Sequence, residues 1–449
     1  MDVGRHPNIR LLAYSEVEKV EGELGDFKVT VRKKARYVDE SKCTGCGACA
    51  EKCPTAISDE YNLGLANAKA IYRYFAQGIP STYTINTNFC RNFQAGKKCG
   101  VCAKVCQAGA IDYKQQDQVL EVEAGAVILA TGYELFDARR IPEYGYGRLP
   151  NVVTALELER FLSASGPTHG HVYRPTDLAL KESLPELEKS RQKAFKALEK
   201  FEKQFERTSD EFYPLYEAGE LKGEDYEKWA EQVKAFWDLD GEVQARKEKV
   251  ASLESAHRLA FIQCVGSRDI RFNRYCSGFC CMHAIKEAII AREHDPQAQV
   301  YIIGMDIRAV GKGFEEYRNR GAKESHIEYV RSRVAEITEN KDHSPVIWYE
   351  DTKERVVKSL PVDLVILSTA CEPSPATRIL ADIIGLEVND FGFYATDPSQ
   401  PLDTSRPGIF VCGCAQSPMD IPESVAQASS AAARAAQVLS GSGTLRLAS

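Results

Sequence analysis

The spacing of apolar positions changes several times along the chain, and each change marks a different kind of element. In FKVTVRK (27–33) apolar and polar residues alternate, the period of a strand with one buried face. VLEVEAGAVILATGY (119–133) reads as a strand, a turn, and a second, fully buried strand that ends in small residues. Between 178 and 257 the period lengthens to that of a helix. Ala194, Leu198, Phe201 and Phe205 recur three and four apart within densely charged sequence, which predicts an antiparallel helical hairpin inserted as an arm. Pro214 and Gly219 leave room for a third short helix at its turn. The apolar runs RLAFIQCVG (258–266) and AQVYIIGMD (298–306) flank the helical CCMHAIKEAIIAREH (280–294), a β-α-β pattern. A further pair of buried strands, VDLVILSTA (362–370) and GIFVCGCA (408–415), precedes an alanine-rich helix from Pro422. This alternation predicts an α/β fold.

Length and composition narrow the class. At 449 residues with 44% hydrophobic content, the chain is long enough for two or three domains with real cores. A net charge of -7, with both signs interleaved in the one densely charged region, argues against a nucleic-acid surface. No apolar run approaches the length of a transmembrane helix, and MDVGRHPNIRLLAY lacks the pattern of a signal peptide, so a cytoplasmic location is expected. Fifteen cysteines are therefore anomalous, because a reducing compartment does not sustain a disulfide framework. Metal or redox chemistry accounts for them better.

CTGCGACAEKCP places Cys43, Cys46, Cys49 and Cys53 in Cys-x2-Cys-x2-Cys-x3-Cys-Pro. In such a loop three thiolates converge on one iron-sulfur cube while the fourth reaches a neighbouring cube. A second copy follows, with Cys90 and then Cys99, Cys102 and Cys106 in CGVCAKVCQAGAI. Two half-repeats that exchange their fourth ligand make a two-cluster ferredoxin domain. We therefore expect one 4Fe-4S cluster on Cys43, Cys46, Cys49 and Cys106, and another on Cys90, Cys99, Cys102 and Cys53. A pair of four-cysteine zinc sites is the alternative. YCSGFCCMHAIK (275–286) adds Cys276, Cys280 and Cys281 at a helix start, and Cys264 ends the preceding strand. These four can face one point across the strand-to-helix turn, which predicts a third 4Fe-4S site; the alternative is buried free thiols.

AVILATGYE (126–134) ends a buried strand in Ala-Thr-Gly, where small residues let a cofactor approach the backbone. TSRPGIFVCGCAQSPMDIPESVAQASSAAARAA (404–436) resembles the closing segment of flavoproteins with two dinucleotide-binding domains, in which a helix N-terminus faces the flavin ring. Candidate FAD contacts are Thr131, Gly132, Gly413, Asp420, Ile421, Ser424 and Gln427. The Gly-x-Gly-x-x-Gly turn of such enzymes does not occur in this sequence. FIQCVGSRD likewise lacks the successive glycines of a pyridine-nucleotide fingerprint, so NAD(P)H is not expected as direct donor. Cys371 and Cys412 read as strand-end core positions, and Cys414 stands where such flavin turns carry an acidic residue. A dithiol reductase using Cys412 with Cys414, or Cys280 with Cys281, is a further reading, against which neither pair has Cys-x-x-Cys spacing.

Several motifs together resemble one family: VGRHPNI, RYVDESKCTGCGACAEKCP, KCGVCAKVC, ILATGYELFD, FIQCVGSRD, YCSGFCCM, MDIRAVGKGFEE and DIPESVAQASSAAARA. They are similar to the A subunit of heterodisulfide reductase and its bacterial relatives, and they span nearly the whole chain outside the helical arm. The resemblance implies a thioredoxin-reductase-like, two-dinucleotide-domain flavoprotein core with an inserted two-cluster ferredoxin domain and an inserted helical hairpin. It also implies flavin-based electron bifurcation or confurcation between ferredoxin and a heterodisulfide- or hydrogenase-type partner. Expected partners are B and C subunits of the heterodisulfide reductase type, or hydrogenase or dehydrogenase subunits, around a homodimeric core. Lys286 matches a family lysine near the reactive flavin nitrogen and is the candidate catalytic residue. The competing reading is a non-catalytic iron-sulfur scaffold whose flavin site is completed by another chain. The family's glycine-rich flavin motif and its C-terminal ferredoxin module have no counterpart here. In the family a cysteine-rich motif, with selenocysteine in some members, lies just upstream of the segment matching MDVGRHPNI, and an in-frame UGA upstream of Met1 is expected.

The domains expected on this reading are partial FAD-domain strands at 1–37, the ferredoxin insertion at 38–113, an FAD-domain segment and linker at 114–177, the helical hairpin at 178–257, a second nucleotide-binding-like domain at 258–372, and the closing FAD segment at 373–449.

Overall fold

A computed structural model describes residues 3–447, with side chains through residue 440. Its central feature is a five-stranded parallel sheet in the spatial order Val152–Thr154, Leu364–Thr369, Arg258–Val265, Gln299–Gly304, Glu328–Arg331. The runs that fill its middle are apolar at consecutive positions because both faces are covered. Leu259 and Phe261 point to the face packed by helix Cys280–His294 through Ala284, Ile285 and Ala288. Ala260 and Ile262, one residue out of phase, point to the opposite face, where Phe136, Ile141, Val334 and Ile347 close the core. Arg258–Val265, helix Cys280–His294 and Gln299–Gly304 thus realise the β-α-β unit read from the sequence.

A second, smaller sheet pairs Val127–Leu129 in parallel with Ile409–Val411, two segments far apart in sequence. A three-stranded antiparallel sheet of Ser15–Glu23, Asp26–Lys33 and Gln118–Ala124 packs on it through Val20 and Phe27, with helix Pro375–Ile384 contributing Ala381 and Ile384. The two buried strands VDLVILSTA and GIFVCGCA belong to different sheets. Each takes a parallel partner from elsewhere in the chain, and the helix Pro375–Ile384 lies between them in sequence.

The cysteine-rich insertion leaves from Asp26–Lys33 and returns at Gln118–Ala124, which are hydrogen-bonded neighbours, so the host sheet is not interrupted. A Val38–Ile111 bridge closes its base. The charged arm is attached in the same manner, with the Ala256 amide donating to the Val172 carbonyl at 2.8 Å where its two ends meet. It comprises three helices rather than a simple hairpin: Pro175–Phe205, Ser209–Glu217 and Glu224–Ala251. Thr208 and Glu211 form a capping box that starts the short middle helix. The arm has its own core, in which Trp229 is fully buried and stacks on Phe212 with ring centroids 3.8 Å apart.

Candidate metal centres and the adjoining cavity

In the inserted unit the first cysteine loop turns through Gly45 and Gly47, both at positive φ. A side chain at Gly45 would sit 2.7 Å from the Ser81 carbonyl oxygen, so the loop can tighten there only with glycine. Cys49 and Cys102 lie buried on the short helices Ala48–Glu51 and Val101–Val105. Cys53, from the first motif, lines one small cavity together with Cys90, Cys99 and Cys102 from the second. Cys43, Cys46 and Cys49 lie near Tyr83. Cys106 caps the helix Val101–Val105 and packs, with Cys43, against the core that contains Cys49.

Burial holds the Cys49 thiol up to about 11 and pushes Cys102 and Cys90 upward as well. Without metal these sulfurs would keep their protons; a cluster that binds thiolates would drive them off. The Tyr113 hydroxyl lies 2.9 Å from Cys102 Sγ. Its own ionisation is pushed well above the ordinary tyrosine range, first by burial and then by that sulfur, so it would donate to Cys102 were that sulfur a ligating thiolate. Among the described residues no three His, Cys, Asp or Glu side chains meet at single-ion spacing. The all-thiol donor set spread around a cavity fits an iron-sulfur cube.

The third set is assembled by the parallel sheet. Cys264 has a positive φ, and the pairing of its strand with Leu364–Thr369 slips between Ile262 and Val265, the local irregularity of a bulge. Such a bulge re-aims the side chain of the extra residue. Cys280 and Cys281 begin helix Cys280–His294 and are buried, and Cys276 lies on the loop before it. The four thiols lie close enough to influence one another electrostatically. Cys280 is pushed up by its contact with Cys281 and by burial, while the same contact pulls Cys281 down. Positive polarity surrounds them: the Arg308 amide points at Cys281 Sγ from 3.4 Å, the Gly278 amide at Cys276 Sγ from 3.4 Å, and the Arg268 guanidinium stands 3.8 Å from Cys264 Sγ. Arg268 is itself held by two hydrogen bonds to Asp306, of 2.6 and 3.0 Å. The helix N-terminus adds its own partial positive charge. This environment suits a group of net negative charge bound to thiolates.

A cavity of about 710 Å³ adjoins this helix. Its walls are mostly apolar, and Tyr133 and Phe279 meet at its edge with ring centroids 5.6 Å apart. Lys286 lines it and is ion-paired with Glu159, from the helix Ala155–Leu162. Behind Lys286, Glu287 is 3% exposed with its Oε2 unpartnered, and its ionisation is pushed up by burial. His283 Nδ1 is also unpartnered and stands 3.7 Å from Glu287 Oε1. Asp420, Ile421 and Ser424 line the facing wall at the start of helix Ile421–Leu447. Thr131, Gly132, Gly413 and Gln427 do not line it. Gln427 instead accepts the Gly413 amide at 2.9 Å, tying the turn to the helix, and Thr131 contacts Tyr394. The size falls in the range of cofactor sites, and a planar aromatic ring fits its aromatic rim, apolar walls and unsatisfied polar atoms.

The sequence reading did not find Glu159, His283, Glu287, Tyr133 or Phe279. Glu159 is in an ordinary amphipathic helix. His283 and Glu287 sit one helical turn apart within CCMHAIKEAII, and a buried charge in so apolar a run was the available signal. Cys371 and Cys412 are buried as expected, but Cys412 faces Ala431 and Phe410 whereas the Cys371 thiol meets that of Cys414.

Residues 36–57 match the family described as 4Fe-4S binding domain. The chain is 38% identical over 436 residues to the CoB–CoM heterodisulfide reductase iron-sulfur A subunit of Methanocaldococcus jannaschii, covering 96% of this chain and 54% of that protein. It is 38% identical to the A subunit of the ferredoxin:CoB-CoM heterodisulfide reductase of Methanosarcina acetivorans, over 97% of this chain and 48% of that one. The A subunit of the H(2):CoB-CoM heterodisulfide,ferredoxin reductase of Methanothermobacter marburgensis is 36% identical, over 97% and 54%. Among solved structures, Lactococcus lactis thioredoxin reductase aligns with 41% of this chain and 53% of its own at 20% identity and a TM-score of 0.29. The chain spans about half the length of the relatives it matches. With its ferredoxin-type cysteine motif inside a match that runs through nearly all of its own length, this polypeptide is similar to heterodisulfide reductase A subunits over about half of theirs.

Proposed function

We propose that the chain is an electron-transferring oxidoreductase subunit that carries iron-sulfur clusters and binds a flavin in the cavity beside Lys286. The observation that carries this reading is the helix Cys280–His294. Its first turn holds Cys280 and Cys281, and one turn later Lys286 faces the cavity. A cysteine-bound cluster and the cavity would thus share one rigid element.

Bound flavin would supply two-electron chemistry and the clusters one-electron chemistry, so the cavity is the branching point between them. The chain's own residues prepare that exchange. Lys286 places a cation at the cavity wall, where it favours a reduced, anionic ring, and Glu159 holds it in position. Tyr133 and Phe279 present apolar aromatic surface at the edge. Arg268 and the helix N-terminus offset the negative charge of a third 4Fe-4S cluster on Cys264, Cys276, Cys280 and Cys281. The inserted unit would extend the path through its two clusters. The core would then be of the thioredoxin-reductase-like type, and the physiological role would be bifurcation or confurcation between ferredoxin and a heterodisulfide- or hydrogenase-type partner within a larger cytoplasmic complex. Among the described residues no helix is long and apolar enough to cross a membrane.

The alternative is a non-catalytic iron-sulfur scaffold whose flavin site is completed by another chain. Iron and flavin analysis of the full-length gene product with its neighbouring subunits separates the two. About twelve irons with a flavin that bleaches on reduction supports the proposal. About eight irons removes the third cluster, and a brown protein without flavin leaves only the scaffold.

A further inference from the structure

Lys286 and Glu287 are consecutive on helix Cys280–His294 and both line the cavity, yet they are held in different ways. Lys286 is half-buried, and its charge is met by Glu159. Glu287 is 3% exposed. His283 Nδ1 approaches its Oε1 only to 3.7 Å, too far for a hydrogen bond, and its Oε2 has no partner among the described residues. Two polar side chains one helical turn apart on this wall thus keep unused hydrogen-bonding atoms.

An ionised carboxylate in that place would be costly, because burial disfavours the charge and one oxygen would accept nothing. The ionisation of Glu287 is accordingly pushed up, by burial first. His283 and Lys286 on its own helix pull the other way, and Glu159, from helix Ala155–Leu162, adds to the upward push. The rest of the wall brings no cation: Phe314 and Thr369 are uncharged, Tyr133 and Cys414 are acids, and Asp420 is a further carboxylate. A neutral acid, by contrast, offers an O–H that needs an acceptor, and the described residues leave Oε2 without one. For the chain alone an apolar side chain of similar shape would be as stable or more so. A buried acid with a free donor, on the wall of a cofactor-sized cavity, is placed for what binds there.

We propose that Glu287 is a neutral carboxylic acid that donates a hydrogen bond from Oε2 to an acceptor atom at the edge of a ring bound in the cavity. This rests on the flavin reading above and deepens it by naming a second residue that sets the ring's preference between its oxidised and reduced states. The acceptor atoms of a flavin gain negative charge on reduction, so a donor fixed on a rigid helix stabilises the reduced state more than the oxidised one. Lys286 acts through a charge that Glu159 partly offsets, whereas Glu287 acts by direct donation from a dry wall, where a hydrogen bond is strong. The donor is present below the raised ionisation of Glu287 and is lost as pH rises through it. A negative charge then faces the ring, and the preference reverses.

The test uses the full-length gene product with its neighbouring subunits, as wild type, Glu287→Leu and Glu287→Gln, with iron and flavin content verifying that each is intact. At about pH 6, where ordinary carboxylates are ionised, infrared difference spectra between wild type and Glu287→Gln should show the carbonyl stretch of one protonated carboxylic acid, and reducing the flavin should shift it. Glu287→Leu should weaken binding of reduced relative to oxidised flavin about tenfold, read as a two-electron potential lower by ~30 mV. Glu287→Gln, whose amide still donates, should stay within about twofold, or ~10 mV. Should the leucine variant lose flavin or iron, the pH profile decides: between about pH 6 and 9 the wild-type potential should fall more steeply than that of Glu287→Gln, whose amide does not ionise. Parallel profiles, absence of the acid band, or an unchanged potential in a flavin-bearing Glu287→Leu would each overturn the proposal while leaving the flavin site standing. A wild-type complex with no flavin spectrum is a distinct failure, of the cavity's assignment, and removes this inference with it.

Discussion

Tyr113→Phe should lower the reduction potential of one cluster in the inserted unit and leave the other unchanged. The hydroxyl sits 2.9 Å from Cys102 Sγ, and its raised ionisation keeps it protonated and donating. A hydrogen bond to a charged acceptor contributes about 1.5–3 kcal/mol net. The added electron is spread over the cube and its ligands, so only about a third of that, ~0.5–1 kcal/mol, should distinguish the reduced from the oxidised cluster. At about 59 mV per tenfold for one electron, and ~1.4 kcal/mol per tenfold, this converts to a lowering of ~20–45 mV. Phenylalanine keeps the ring that packs edge-on to Phe93 at 6.1 Å, so the fold around the site should persist. Redox titration followed by electron paramagnetic resonance reads both clusters in one sample. A shift of both signals together, no shift, or a rise in potential would refute the reasoning that this hydroxyl tunes the cluster held by Cys102.

Three further outcomes follow from the geometry. Cys53→Ala should remove the Tyr113-sensitive signal and about half of the iron of the inserted unit, although Cys53 belongs to the first motif, because it shares a cavity with Cys90, Cys99 and Cys102; loss of the other signal would refute the ligand exchange. In the arm, Trp229→Ala removes a fully buried indole at a cost of about 3–5 kcal/mol, but it also removes an indole N–H that has no partner, which returns ~1–2 kcal/mol. The net cost is about 1–4 kcal/mol, so amide exchange in 175–251 should accelerate by roughly 5–900-fold without iron loss, while Trp229→Phe should stay within about 1 kcal/mol of wild type. Gly266→Ala would put a Cβ 2.4 Å from the buried Phe136 ring at a φ of +81°, at a cost of about 2–4 kcal/mol. It should loosen the segment around Cys264 in hydrogen exchange, and wild-type protection there would count against it.

Local patterns carried much of this architecture. The 4Fe-4S motif at 43–53 was legible because cluster ligands must fall at fixed intervals along one loop, and the family match covers that stretch. The β-α-β unit was legible because strands buried on both faces need continuous apolar runs. What stayed hidden was set by pairings between distant segments. Nothing local says that Ile409–Val411 joins Val127–Leu129 while Leu364–Thr369 joins the other sheet, and the expected division of these segments between two domains came from the family resemblance alone. Glu159 meets Lys286 only because two helices cover neighbouring strands of one sheet, and Cys371 meets Cys414 only because two sheets abut. The flavin-site residues chosen by analogy divided in the same way. Asp420, Ile421 and Ser424, at the helix start, reach the cavity wall, and Thr131 and Gly132, at a strand end, do not.

If the proposed function holds, the helix Cys280–His294 has a consequence for how electron flow can be regulated. At about 1.5 Å per residue, Cys281 and Lys286 are separated by ~7.5 Å along the axis. No hinge between the two sheets can alter that span, because it lies within one element packed on the parallel sheet through Ala284, Ile285 and Ala288. The opposite wall, at Asp420, Ile421 and Ser424, belongs to a helix attached to the other sheet. A relative movement of the two sheets would change the width of the cavity, while the step from the cavity to the cysteine centre kept a constant length. Any gating would then act on what enters and leaves the cavity, with the internal hop as its invariant.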